Sequence, residues 1–170
     1  MAVRRAGAGD VAEIARVQTA SWAGAYMDLM PASVLENMTV EGRIAGLTRY
    51  MADQPTRSQL LVAESASEVV GMAWIAPNRD EDLDDQEVGE VLAIYVDPEH
   101  WDGGHGRELM VAAIEEMRTI GFSQAALWVL DTNERGRSFY ERGGWFADGA
   151  VKIDETFGEP LREVRYRLNL

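Results

Sequence analysis

One stretch constrains the fold more than any other: an apolar strand leads through a glycine-rich turn directly into an amphipathic helix. Residues 88–96 form the most apolar strand candidate, which ends at Asp97-Pro98. Three glycines lie between positions 103 and 106, and apolar residues then recur at helical spacing from about Gly106 to Ile120. Unobstructed glycine amides, together with the positive end of a helix dipole, bind anions such as pyrophosphate. A plain loop that uses its glycines for positive φ angles is the alternative interpretation.

The remaining hydrophobic pattern predicts strands and helices without an internal repeat or a linker. A length of 170 residues, with 46% hydrophobic and 26% charged residues, is typical of one globular domain, which we expect over residues 1–170. We expect strands at residues 2–6, 59–63, 69–75, 88–96, 124–130, 151–153 and 164–168, and helices at about 11–22, 32–51, 106–120 and 133–142. This order of elements predicts an α/β or α+β fold.

Composition excludes several kinds of chemistry. The chain has no cysteine, so it has no disulfide scaffold, no thiolate zinc site and no cysteine nucleophile. Its net charge of −13 repels a nucleic-acid backbone, and we expect no nucleic-acid partner. No apolar run reaches about 18 residues, so we expect no membrane span. No apolar segment follows Arg4 and Arg5, which predicts no signal peptide and a cytoplasmic location.

The potential metal ligands match no known type of metal site, and we expect no bound metal. His100 and His105 are too few for a histidine site. The acidic run at residues 80–85 begins like a calcium loop, but Asp85 stands where that loop needs glycine. We expect this run to be a solvated hairpin tip. A sharper hypothesis is that it attracts a cationic acceptor.

The glycine turn matches two common phosphate-binding motifs poorly. No Gly-Lys-Ser/Thr follows it, so the P-loop pattern fails. The dinucleotide fingerprint is half met, because Leu109 occupies the position of its third glycine. An unrelated nucleotide-binding enzyme, which would bind NAD or ATP, is therefore kept as an alternative.

A different family fits the region from about Glu90 to Trp145. Its first motif is the strand end Tyr95-Val96-Asp97-Pro98 followed by the turn Trp101-Asp102-Gly103-Gly104-His105-Gly106, which is similar to Q/R-x-x-G-x-G/A. Its second motif is Asn133 followed by the helix from Gly136 to Trp145, which contains Phe139-Tyr140-Glu141. Both motifs, in this order, resemble the GNAT superfamily of CoA-dependent N-acyltransferases.

The resemblance implies a GNAT-like fold and acetyl-CoA as co-substrate. The fold would be a central mixed, mostly antiparallel sheet of six to seven strands, splayed where the acyl-CoA enters and flanked by about four helices. Backbone groups of Ile94 and Val96, on either side of Tyr95, would pair with the pantetheine arm like a further strand. Asn133 would bond the pantetheine or a neighbouring water. The amides expected to hold the pyrophosphate are those of Asp102, Gly103, Gly104, His105, Gly106 and Arg107.

The resemblance also implies roles for two side chains in acetyl transfer to a primary amine. An amine is mostly protonated at neutral pH, so a base or water chain must remove a proton, and Glu90 is the candidate base, acting through water. Tyr140 would lie near the thioester sulfur and protonate the departing thiolate. Because cysteine is absent, we expect direct attack by the amine without an acyl-enzyme. Trp22, Tyr26, Met27 and Met30 fall in the segment that would line the acceptor side.

One departure from the family pattern weakens this assignment. Trp101 stands where the family has Gln or Arg, which removes a polar side chain near the CoA phosphates, and Arg107 could compensate. A non-catalytic acyl-CoA-binding or regulatory domain on the same fold therefore remains an alternative. The acceptor is expected to be a small-molecule or peptide amine, and a homodimer could form by pairing of the C-terminal strand.

Overall fold

The computed structural model describes residues 2–26, 39–53, 55–155 and 160–170. These residues form seven strands and four α-helices. The strands are β1 (Ala2–Arg5), β2 (Gln59–Ser65), β3 (Glu68–Pro77), β4 (Val88–Val96), β5 (Gln124–Leu130), β6 (Phe146–Asp154) and β7 (Leu161–Asn169). The helices are α1 (Val11–Tyr26), α2 (Val40–Asp53), α3 (His105–Ile120) and α4 (Glu134–Arg142).

All seven strands join one mixed sheet in the order β1-β2-β3-β4-β5-β7-β6. Every neighbouring pair is antiparallel except β4 and β5, which run parallel. That parallel pairing joins Val88 to Gln124 and ends where Glu90 meets Ala126. Just beyond, the β3–β4 register shifts between Val91 and Ala93, and such a bulge bends a strand. The last residues of β4 therefore diverge from β5, which opens a gap in the middle of the sheet.

The two faces of the sheet are covered differently. One face packs its apolar side chains against α3, and Leu109, Met117, Leu127 and Tyr166 are fully buried in that core. The opposite face packs β2, β3 and the end of β4 against α1 and α2. Side chains alternate along a strand, so every other residue of β5 and β7 also lies on this second face. These two strands do not contribute to the core that packs against α1 and α2.

The predicted mixed, mostly antiparallel sheet and the order of its elements are confirmed. The predicted end of α1 near Trp22 is wrong: the helix runs to Tyr26 through Gly24. A Cβ at Gly24 would lie 2.6 Å from Cγ of Pro98, so the glycine allows close packing here and does not begin a loop. Strands β6 and β7 are longer than predicted. The predicted start of the second helix, Met27 and Met30 lie outside the described residues.

In the part of the chain that the structure describes, no helix has the length and apolar character needed to cross a membrane. The same residues contain no group of three or more histidine, aspartate or glutamate side chains placed to hold a metal ion.

Candidate active site

A cleft of about 800 Å³ opens where β4 and β5 diverge. The end of β4, the glycine turn, the N-terminal part of α3, the length of α4 and the end of α1 form its walls. Most of the site residues predicted from the sequence line it. They are Ile94, Tyr95, Val96, Asp102, Gly104, His105, Gly106, Arg107, Asn133 and Tyr140. Gly103 and Glu90 are not among its lining residues.

The turn between β4 and α3 leaves its backbone amides available. Asp97 fixes the start of the turn, because its carboxylate accepts the amide of Glu99 at 3.1 Å. Gly104 caps α3 with a φ of +83°. A Cβ at Gly104 would meet nothing within 4 Å, so the glycine is required for its backbone conformation rather than for space. Among the described residues, no backbone carbonyl accepts the amides of residues 102–107. The turn therefore offers a series of free donors at a helix N-terminus.

Two histidine side chains add unpartnered nitrogen atoms to this turn. His105, in the first turn of α3, is 8% exposed, and its Nδ1 has no hydrogen-bond partner among the described residues. Nδ1 of His100 is in the same situation, and the two rings lie 6.0 Å apart. Buried polar atoms normally have partners, so these nitrogens are consistent with a bound polar group or water at this place.

Trp101, which departs from the family pattern, is held firmly between three elements. Its indole N–H donates to the backbone carbonyl of Val96 at 2.9 Å. Its ring edge lies 3.4 Å from where a Cβ of Gly24 in α1 would be. The guanidinium of Arg135, in the first turn of α4, lies 4.0 Å from its ring centre. Val96 was expected to pair with pantetheine, and its carbonyl retains one lone pair beyond the bond from Trp101.

Three tyrosine side chains from different elements meet in the cleft: Tyr26 of α1, Tyr95 of β4 and Tyr140 of α4. Burial raises the pKa of the Tyr140 hydroxyl, and the neighbouring Tyr95 raises it further. Burial likewise raises the pKa values of Tyr26 and Tyr95. All three hydroxyls are therefore protonated at neutral pH and can donate a hydrogen bond or a proton.

Asn133 lies at the start of α4 and lines the cleft. Its side-chain oxygen accepts the backbone N–H of Gly136 at 2.9 Å, which is the usual role of asparagine at a helix N-terminus. Asn133 also lowers the pKa of the Tyr26 hydroxyl, against the larger effect of burial.

Glu90, the predicted base, lies where β4 and β5 separate, and its side chain is 4% exposed. Arg79 binds both of its oxygens: Nε donates to Oε2 at 3.1 Å and Nη2 donates to Oε1 at 2.9 Å. Each oxygen of a carboxylate has a second acceptor position, so this fork still leaves places for a water. No sequence pattern indicated Arg79 as a partner, because it follows β3 in the loop.

A second, partly buried carboxylate, which sequence reasoning missed, lies on β7. Glu163 is 18% exposed and its Oε2 lies 3.2 Å from Nζ of Lys152 on β6. Burial raises its pKa, and the charge of Glu90 raises it further, although Lys152 acts in the opposite direction. The charge of Glu163 in turn makes a small contribution that raises the pKa values of Tyr26 and Tyr95, although Glu163 does not line the cleft.

Beside Glu163, the buried Arg165 organises the acidic loop between β3 and β4. Its guanidinium binds Asp80 at 3.0 Å, Asp82 at 2.7 Å and Asp148 at 2.8 Å. The interpretation of residues 80–85 as a solvated tip is therefore wrong for Asp80, whose side chain is only 19% exposed, whereas Asp82 is ion-paired but remains exposed. Alternation of charge along β7, at positions 163, 165 and 167, was the available signal for a polar strand face.

A family model described as the acetyltransferase (GNAT) family matches residues 22–145. A mycothiol acetyltransferase of Propionibacterium freudenreichii subsp. shermanii is 39% identical over 109 residues, which cover 64% of this chain and 33% of that protein. Over the first mycothiol acetyltransferases that it matches, the chain spans only 28% to 33% of their length.

Two longer matches cover most of both chains. The uncharacterised N-acetyltransferase YuaI of Bacillus subtilis is 27% identical over 131 residues, which cover 77% of this chain and 72% of that protein. The structure of yncA from Salmonella typhimurium, solved with its cofactor acetyl-CoA, has a TM-score of 0.76 at 23% identity. It covers 100% of this chain and 94% of that chain, and the likeness shows a shared fold.

Proposed function

This chain belongs to the acetyltransferase (GNAT) family, and from that premise we propose that it moves an acetyl group from acetyl-CoA directly to a primary amine. The observation that carries the proposal is the set of free amides at residues 102–107, in the turn that follows the strand bordering the cleft. The free amides support a diphosphate site, and the edge of the preceding strand supports a site for pantetheine.

The residues of the cleft fit the chemistry of CoA. A diphosphate needs several donors close together, and the turn amides at the start of α3 supply them. The chain as a whole carries a net charge of −13, yet Arg107, Arg135 and Arg142 line this cleft. Beyond Glu90, β4 has no strand partner on its β5 side among the described residues, so its edge can bond the amides of pantetheine.

Bound acetyl-CoA supplies an acetyl thioester, and the chain must then manage two protons. We assign Tyr140 to donate a proton to the departing thiolate, because burial keeps its hydroxyl protonated and it lines the cleft. Glu90, held by Arg79 where the strands part, is assigned to take the first proton of the incoming ammonium through a water. The attacking nitrogen gives up a second proton as the C–S bond breaks, and this proton restores the Tyr140 hydroxyl. The absence of cysteine supports direct attack by the amine.

A calorimetric titration tests the proposal at its first step. We expect micromolar binding of acetyl-CoA and no comparable binding of NAD or ATP. Preference for NAD or ATP would contradict the assignment and favour an unrelated nucleotide-binding enzyme.

A panel of primary amines then tests the reaction itself, with release of free CoA as the readout. Acceptor-dependent release supports transfer to an amine. Tight binding of acetyl-CoA without release over the whole panel would instead indicate a non-catalytic acyl-CoA-binding domain.

A further inference from the structure

Trp101, which stands where the family has Gln or Arg, packs against an arginine of α4. Arg135 covers the face of Trp101, with its guanidinium carbon 4.0 Å from the ring centre, and both side chains line the cleft. The position that departs from the family pattern is thus physically linked to a cation from another element. Stacking on an aromatic face restricts the many rotamers of an arginine and leaves the edge of its guanidinium free to donate.

Trp101 is suited to act as a fixed support. Its N–H bond to the Val96 carbonyl and its contact with α1 at Gly24 hold the ring from two sides. The ring therefore presents one defined face at the mouth of the cleft. An arginine packed on that face has its position set by the core of the fold rather than by its own flexible chain.

The other partner of Arg135 is weak and replaceable. Nη2 of Arg135 lies 3.4 Å from Oδ1 of Asp102, and the two side chains are 58% and 93% exposed. Such an exposed pair contributes little to stability. Asp102 belongs to the same turn whose amides are free, so the guanidinium already lies beside the expected diphosphate site. A diphosphate carries more charge than a single carboxylate and matches the guanidinium fork.

We propose that Arg135, supported on Trp101, binds the diphosphate of CoA and so replaces the Gln or Arg that the family has at position 101. The inference rests on the proposed function, since it assumes that CoA occupies the cleft. It assigns a binding role to a residue of α4 and explains why a tryptophan is compatible with that role. Arg135 is a ligand-binding residue and takes no part in proton transfer.

The test is calorimetric titration of the full chain and its variants with CoA and, separately, with 3′-dephospho-CoA. Arg135→Ala is expected to weaken binding of both ligands about tenfold, because both carry the diphosphate. The matched control is Arg118→Ala, which also removes an exposed, ion-paired arginine but lies at the far end of α3. It is expected to leave both affinities unchanged.

Variants of Trp101 distinguish the contribution of aromatic stacking to CoA binding from that of the charge of Arg135. Trp101→Ala is expected to weaken binding about threefold, and Trp101→Phe, which keeps an aromatic face, should remain near the wild-type affinity. Raised salt should weaken binding to the wild type more than binding to Arg135→Ala. Thermal unfolding of each variant verifies that the exposed substitutions leave the fold intact.

The possible failures are distinguishable. If the wild-type chain binds neither ligand, the proposed function fails before Arg135 is tested. If the wild type binds and Arg135→Ala binds equally well, the role of Arg135 is overturned. Weaker binding of CoA alone, with 3′-dephospho-CoA unaffected, would assign Arg135 to the 3′-phosphate and contradict the diphosphate contact. An unchanged affinity in Trp101→Ala would remove the supporting role of the tryptophan.

Discussion

Two regions of the molecule are built in different ways. At the turn, residues 102–107 supply free backbone amides in one continuous segment, and their positions depend on φ angles and helix geometry. In the polar region around Glu90 and Arg165, outside the lining of the cleft, charged side chains come from β4, β6, β7 and the β3–β4 loop, and ion pairs hold them in place. A backbone site of the first kind tolerates many side-chain changes, whereas the second depends on each member of a charge network. This difference leads to distinct predictions for the two regions.

The largest effect is expected at the centre of the charge network. Arg165→Leu leaves the carboxylates of Asp80, Asp82 and Asp148 without their common cation, and the side chain that it replaces is only 6% exposed. We expect the free energy of unfolding to fall by about 3 kcal/mol, measured by urea denaturation. Arg162→Leu on the same strand is the matched control, because Arg162 is 52% exposed and should cost about 1 kcal/mol or less. Equal losses would show that Arg165 does not organise the loop.

The next largest effect concerns the proton donor. Tyr140→Phe is expected to lower kcat about 100-fold, because the departing thiolate loses its acid, while the affinity for acetyl-CoA changes little. Tyr26→Phe removes a second hydroxyl from the same cleft and should leave kcat within a few-fold of the wild type. A fall in kcat only in the Tyr26 variant would transfer the role to Tyr26.

The roles of Glu90 and Glu163 are distinguished by the effects of their substitution on the pH–rate profile. Glu90→Gln is expected to flatten the rising limb of the profile and lower the plateau about tenfold. Glu163→Gln keeps Glu90 in place and should preserve the limb. If the Glu163 variant flattens the limb and the Glu90 variant does not, then Glu163 is the base.

At the turn, two glycines with the same backbone requirement provide a matched pair. Gly104 has a φ of +83° and Gly121, at the other end of α3, has a φ of +103°, and a Cβ at either would meet nothing within 4 Å. Alanine should therefore cost about 1–2 kcal/mol of stability at both positions. Only Gly104→Ala is expected to weaken acetyl-CoA binding, by about tenfold. Equal affinities in the two variants would mean that the turn does not bind the ligand.

The smallest expected effect is the pH dependence that Glu163 gives to stability. Because burial raises its pKa, the folded state binds this proton more tightly than the unfolded chain does. That contribution is present below the unfolded pKa and is lost as the pH rises through the folded pKa. Glu163→Gln should therefore gain stability relative to the wild type over the range in which the pH rises above about 4, the ordinary pKa of a glutamate. A constant difference across that range would show that the pKa of Glu163 is not raised.

The same contrast explains what could be predicted from the sequence. The strand from Val88 to Val96, the turn and α3 were predictable because local spacing and glycine positions determine them. The ion pair between Glu90 and Arg79 was not, because it depends on where the acidic loop folds. Glu163 and Arg165 required the register between β5, β6 and β7, which no local pattern specifies. From the sequence, Trp101 indicated only the loss of a polar side chain at the turn, because its partner, Arg135, lies on α4, far along the chain.

The central claim is that the backbone of the turn binds CoA, and an NMR titration of the ¹⁵N-labelled protein with acetyl-CoA tests it most directly. We predict that the amides of residues 102–107 show the largest downfield shifts, as expected when free N–H groups gain phosphate acceptors. The amides of β7 around Arg165 should shift little. Saturable binding that leaves the turn amides unperturbed would contradict the account, because CoA would then occupy some other part of the molecule.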